Sequence, residues 1–128
     1  MKKRFYILPL FVLVLLASCN KPLLKYNSEF EGTWYSEPQY NSVMGKFVSD
    51  QFTFSGKTGT YLIDCQDTCA PNLCTCTGTL TGTSEINQQR DKIRLNSQTP
   101  RVFELNAEPY QEGNYWYMEV DGKKYKKQ

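Results

Sequence analysis

Apolar and polar positions divide this chain into two unlike regions. At the start, Lys2, Lys3 and Arg4 precede an apolar run from Phe5 to Leu16, and the small residues Ala17 and Ser18 follow it. From Phe30 onward, apolar residues recur in short stretches rich in Val, Ile, Thr, Tyr and Phe, separated by Gly, Pro, Asn and Asp, which is the pattern of strands joined by turns. The strands so predicted are 30–35, 45–54, 58–65, 74–83, 84–88, 92–96, 101–106, 115–120 and 123–126, with neighbours able to merge. Ser55-Gly56-Lys57 and Asp121-Gly122 mark hairpin turns, the second because Asp-Gly accepts the positive φ values of a type I′ turn. After the first region no segment keeps a helical period, and 87–92 is expected to make one turn at most. Short loops between consecutive strands predict an antiparallel meander, since parallel βαβ units need long crossovers. About eight strands must then close as a short all-β barrel, or alternatively fold over as a small β-sandwich, to bury one face and hide their edges. Simple alternation aims Phe52, Phe54, Leu80, Ile93, Leu95, Phe103, Leu105, Trp116, Met118 and Val120 inward.

The opening region has the basic head, apolar core and small-residue end of a secretory signal. It is a poor membrane span, being shorter than the roughly 20 residues that cross a hydrocarbon core, carrying Pro9 and running at once into Asn20 and Lys21. With Leu16-Ala17-Ser18-Cys19 at its end, it resembles a bacterial lipoprotein signal peptide with its lipobox. That resemblance implies cleavage before Cys19, acylation of the Cys19 sulfur and new amino group with fatty acids such as palmitate, and anchoring in the cell envelope. The outer membrane is the expected site, with the domain facing the periplasm or the surface. Each buried methylene contributes about 0.8 kcal/mol, so two or three acyl chains would hold the protein without any spanning helix. The chain then divides into a signal peptide at 1–18, a lipidated cysteine with a flexible polar tether at 19–29, and one domain at 30–128, within the usual single-domain size.

Removing the signal changes the charge. It holds three of the fifteen basic residues and none of the thirteen acidic ones, which leaves a formal charge of −1 on the rest. A near-neutral exported domain has no electrostatic footprint for nucleic acid, and none is expected as a partner.

Apart from Cys19, the four cysteines Cys65, Cys69, Cys74 and Cys76 lie within twelve residues. In a small exported domain an even number reads as disulfides, with three pairings open to four cysteines. The nested pairing, Cys65 with Cys76 and Cys69 with Cys74, is favoured because a hairpin would place the outer pair opposite each other at its mouth. Zinc is the rival, but gaps of three, four and one residues lack the paired two-residue knuckles of structural zinc sites. No metal and no other cofactor is expected. The chain has no histidine, which removes imidazole ligands, Ser-His and Cys-His nucleophilic pairs and the commonest general base.

Glu31-Gly32-Thr33-Trp34-Tyr35 resembles the Gly-x-Trp first strand of lipocalins and of the small lipocalin-like domains carried by many bacterial lipoproteins. The hairpin from Phe52-Thr53-Phe54 into Thr58-Gly59-Thr60-Tyr61, and the closing Met118 to Tyr125, are similar to that family too. The resemblance implies an up-and-down barrel with Trp34 packed across its closed end. An eight-stranded barrel is just wide enough to be filled by its own side chains or to hold one small ligand.

Tyr115, Trp116 and Tyr117 are candidate ligand or partner contacts, because one alternating set must face outward and tyrosine suits surfaces that are half apolar and half wet. The lysines of 123–127 fit either a protected edge strand or a contact with anionic lipid or glycan. Thr-Gly-Thr at 58–60, 77–79 and 81–83 marks bends or close strand approaches rather than a repeat. Asp64, Asp67, Glu85 and Asp91 are carboxylates that could pair as in glycosidases, but their spacing selects no two of them, and no enzyme is expected. The function expected is a lipid-anchored, non-catalytic binding or accessory module, monomeric, contacting a small molecule, a glycan or an envelope protein. The alternative is an exported protease inhibitor or other protein-blocking module using the stapled loop 65–76.

Overall fold

The computed structural model describes residues 19–66 and 75–128. Among them lie β1 (Lys21–Pro22), α1 (Leu23–Tyr26), a 3-10 turn (Ser28–Phe30), β2 (Gly32–Ser36), β3 (Gln39–Asn41), β4 (Lys46–Ser55), β5 (Thr58–Gln66), β6 (Gly78–Ile86), β7 (Lys92–Asn96), β8 (Arg101–Glu112), β9 (Tyr115–Val120) and β10 (Lys123–Lys127). The expected strands at 92–96 and 115–120 fall on β7 and β9. Those at 74–83 and 84–88 merge into β6, and the one at 101–106 runs on to Glu112.

Eight strands run antiparallel in the order β6-β5-β4-β2-β10-β9-β8-β7, and β7 pairs back onto β6 with Ile93 opposite Ile86. The sheet is therefore a closed up-and-down barrel and not a sandwich. β1 extends β6, and β3 extends β4 as a short hairpin outside the ring. Closure depends on two of the three Thr-Gly-Thr segments, those at 58–60 and 81–83. Gly59 and Gly82 face each other across β5 and β6, flanked by the pairs Thr58–Thr83 and Thr60–Thr81. A β-carbon at Gly82 would lie 2.2 Å from the Asn96 carbonyl oxygen, and one at Gly59 would lie 2.5 Å from Leu95 Cδ2. Only glycine lets β7 come this close at the turn of the barrel wall.

Of the ten expected inward residues, eight are buried, and Leu80 and Trp116 are partly buried against the same core. The core is dense across the whole bore. β4 and β8 stand diametrically opposite in the ring, yet the Phe52 and Phe103 rings meet edge to face at 5.0 Å between centroids. Phe52 also touches Tyr61 of β5 at 4.7 Å and Tyr125 of β10 at 5.1 Å. At this level the barrel is filled by its own side chains.

Two expectations are corrected here. Residues 19–29 are not a free tether: β1 pairs with β6 from Lys21, and Leu23 and Phe30 are fully buried in the core. Trp34 fastens this plug, its Nε1 donating to the Phe30 carbonyl oxygen at 2.8 Å. The polar composition of the segment hid three apolar anchors, Leu23, Leu24 and Phe30, which gain more by covering the barrel's end than they lose in chain entropy. The lysine-rich terminal strand is likewise not an edge, because β10 pairs with both β9 and β2.

Candidate functional site

Because the barrel is a meander, each loop belongs to one of two ends. The plugged end carries Cys19, the plug, and the turns after β4, β6 and β8. The far end carries the β3–β4 hairpin, the β5–β6 loop and the β9–β10 turn.

At the far end the sequence places one carboxylate in the inward phase of β4, Asp50, in step with Val48, Phe52 and Phe54. Its side chain is 5% exposed. A bulge makes room for it: Ile63 and Asp64 of β5 together face the single residue Asp50, and Asp64 takes a positive φ of 50°. Such bulges bend a strand and re-aim its groups. As a result the Asp64 N–H donates to Asp50 Oδ1 at 3.2 Å, Tyr61 Oη donates to Oδ2 at 3.1 Å, and Lys123 Nζ pairs with the same oxygen. The Asp50 N–H donates to Ser36 Oγ at 2.9 Å. Burial alone would push the Asp50 carboxyl up, but Lys123, the Asp64 amide and Tyr61 outweigh it and hold it below the usual carboxylate range. Burial, reinforced by the Asp50 charge, pushes the Tyr61 hydroxyl up to about 12. Burial also raises Tyr125, with Tyr61 and Asp50 adding to it. Over this floor lies Arg101, its guanidinium 4.9 Å from the Tyr61 ring centroid and 4.7 Å from that of Phe103.

This cluster has the chemistry of a clasp. The ionised Asp50 is held by a cation and two further donors that span three strands, which fixes β4, β5 and β10 at the mouth. Neither the cluster nor the plug anchored by Leu23 and Phe30 was found from the sequence. The signal available was a carboxylate in phase with buried aromatics.

Beyond the clasp, two features form the rim. The Cys65–Cys76 disulfide expected from sequence is present and closes the root of the β5–β6 loop. Two of the four thiolates a zinc site would need are thereby consumed. Cys69, Cys74 and Asp67 lie outside the described residues. Beside the staple, the β3–β4 hairpin projects, tied to the bulge by Asn41 Nδ2 donating to Asp64 Oδ2 at 3.3 Å. Its tip exposes apolar groups: Val43 is 94% exposed, Tyr40 61% and Phe47 55%, the two rings meeting edge to face at 5.4 Å. Exposed apolar groups gathered on one projection mark contact surfaces more often than isolated ones do.

The candidate contacts Tyr115, Trp116 and Tyr117 do not share a face. Trp116 packs partly buried against the core, while Tyr115 and Tyr117 lie outside it. There the terminal lysines are engaged: Lys126 Nζ sits 3.4 Å from the Tyr115 ring centroid, and Lys124 Nζ sits 4.2 Å from that of Tyr117 while pairing with Glu112 at 2.8 Å. Lys127 reaches the Glu29 carbonyl oxygen at 3.0 Å. A shallow groove of about 440 Å³ runs beside them, between Asn114 and Gln128. The other carboxylates are apart in the fold. Asp64 is in the bulge, Glu85 accepts from Asn20 near the plug, and Asp91 accepts from Asn87 in the β6–β7 turn.

No protein-family model matches the chain, and no curated protein or solved structure matches it.

Proposed function

We propose that this protein is a lipid-anchored, non-catalytic accessory module of the bacterial cell envelope, similar to the lipocalin-like domains of lipoproteins, that acts on an envelope protein through the far end of its barrel. The anchor reading rests on the order of basic head, apolar run and Leu16-Ala17-Ser18-Cys19, and it implies the outer membrane as its site. Among the described residues no helix is long and apolar enough to cross a membrane.

The observation that carries the choice of surface is the Phe52–Phe103 contact across the full bore. A barrel filled by its own rings leaves no deep cup for a lipid or cofactor at that level, so recognition falls to its outside. There the exposed Tyr40, Val43 and Phe47 stand beside the disulfide staple. A photo-crosslinking residue at Val43, in cells, is expected to give a discrete adduct with one envelope protein that the same residue at Thr81 on the wall does not give. Identical adducts from both positions, or none from Val43, would count against the far end as the working surface.

The protein-blocking reading is favoured by one observation, the Cys65–Cys76 bridge at the loop root. A loop ordered before binding loses less entropy on complex formation. This reading uses the same end of the barrel.

A further inference from the structure

The docked 19–30 segment leaves Cys19 close to the barrel. In a lipoprotein whose domain hangs on a long flexible leader, the domain floats free of the membrane. Here a single residue, Asn20, separates Cys19 from the first paired residue, Lys21, which stands opposite Ile86. Asn20 is itself fastened, its Nδ2 donating to Glu85 Oε2 at 3.3 Å. The chain then enters the core at Leu23, which is fully buried. An extended residue spans at most about 3.6 Å, so the Cys19 and Lys21 α-carbons are at most about 7 Å apart. The headgroup layer on each side of a bilayer is itself roughly 5–8 Å thick. Acyl chains on Cys19 therefore leave no clearance between the headgroups and the barrel's closed end.

Resting on the lipid-anchor reading above, we infer that the closed end of the barrel is seated directly on the bilayer surface and that the far end is held pointing away from it. The seating face is formed by α1, the β4–β5 turn and the β6–β7 turn. The Lys57 carbonyl oxygen of the first turn accepts from the Ser84 N–H at 2.9 Å. Arg90 of the second lies over the Tyr26 ring of α1 at 5.2 Å, and the Tyr26 hydroxyl donates to Glu108. These contacts make the face one rigid piece with the plug. Its exposed cations, Lys21, Lys25, Lys57 and Arg90, are accompanied by Glu29 and Glu31. The seating therefore comes from covalent reach and stiffness, with charge secondary.

The test compares the full acylated chain with a variant carrying a flexible Gly-Ser insertion of about six residues between Asn20 and Lys21, which adds roughly 13 Å of mean span. Both are placed in phosphatidylethanolamine–phosphatidylglycerol vesicles and exposed briefly to a bulky, water-soluble amine reagent, and lysine labelling is read by mass spectrometry. Labelling of Lys25 and Lys57 is expected to be several-fold slower in the parent chain than in the insertion variant, with Lys46 at the far end equal in both. Equal labelling of Lys25 and Lys57 in two acylated, vesicle-bound samples overturns the seating and leaves the anchor reading standing. Intact masses that lack acyl chains overturn the anchor reading, and the seating with it.

Discussion

Replacing Phe52 with alanine probes the feature on which the choice of surface rests. Phe52 is fully buried, and its ring meets Phe54 and Tyr61 on its own side of the barrel, Tyr125 on β10 and Phe103 on the opposite wall. Aromatic side chains bury about 150–250 Å², and at about 25 cal/mol per Å² the transfer contribution is about 3 kcal/mol once the methyl carbon kept by alanine is set aside. A void adds to this when its walls cannot close, and here they belong to strands fixed in a closed ring, so a total of about 4 kcal/mol is expected, within the 3–5 kcal/mol typical of such changes. Equilibrium urea unfolding of parent and variant measures it as a shift in midpoint at constant slope. The cycle with Phe103→Ala should show a coupling of about 1 kcal/mol for the cross-bore pair. The cavity so made, walled by rings, should take up a small apolar probe such as benzene. A loss below about 1.5 kcal/mol with additive single effects would refute the filled interior and return the small-ligand cup to consideration.

Other outcomes follow from the far end. Changing Cys65 and Cys76 together to alanine opens a loop of eleven-residue separation, which should cost about 3 kcal/mol in the chain-entropy account while leaving the barrel's circular dichroism intact; an unchanged denaturation midpoint would show that the staple does not restrain the unfolded chain. In Lys123→Met the carboxyl of Asp50 loses the cation that holds it low, so its pKa should rise. In the parent chain the depressed pKa contributes stability that is present above the unfolded carboxylate pKa and lost as pH falls through the folded value. The variant should therefore unfold at a less acidic pH and, because Lys123 is 45% exposed, lose only about 2 kcal/mol at neutral pH, below the 3–5 kcal/mol of a fully buried pair. Coincident acid-unfolding curves for the two proteins would contradict the clasp.

The strand pattern was legible because solvent lies on one side of each strand. Alternation of period two in Phe52 and Phe54, Ile93 and Leu95, and Met118 and Val120 reports the inward face directly, and all six are buried. Closure was legible only as a need, since which strand meets which depends on the approach of β7 to Gly82, a contact between residues far apart in sequence. The plug was missed because its anchors, Leu23 and Phe30, sit among polar residues without a period, and only the empty end of the barrel gives them a place to go. The clasp was missed for a related reason. Asp50 reads as a polar interruption until Lys123, distant in sequence, is brought beside it by the pairing of β10 with β2. The lysines of 123–127 were read from composition as a protected edge or an anionic contact, whereas closure of the ring pairs β10 on both sides and sets Lys124 and Lys126 against the protein's own outward tyrosines.

The proposed location of the protein, and the proposed direction of its far end, both rest on acylation of Cys19, and the mass of the chain recovered from bacterial membranes tests that proposal directly. A polypeptide of residues 19–128 bearing a diacylglyceryl group on the Cys19 sulfur is expected, with metabolic palmitate incorporated by the parent chain and lost in Cys19→Ser. A membrane-bound chain that retains the leader with Cys19 unmodified, or palmitate labelling that persists in Cys19→Ser, would contradict it.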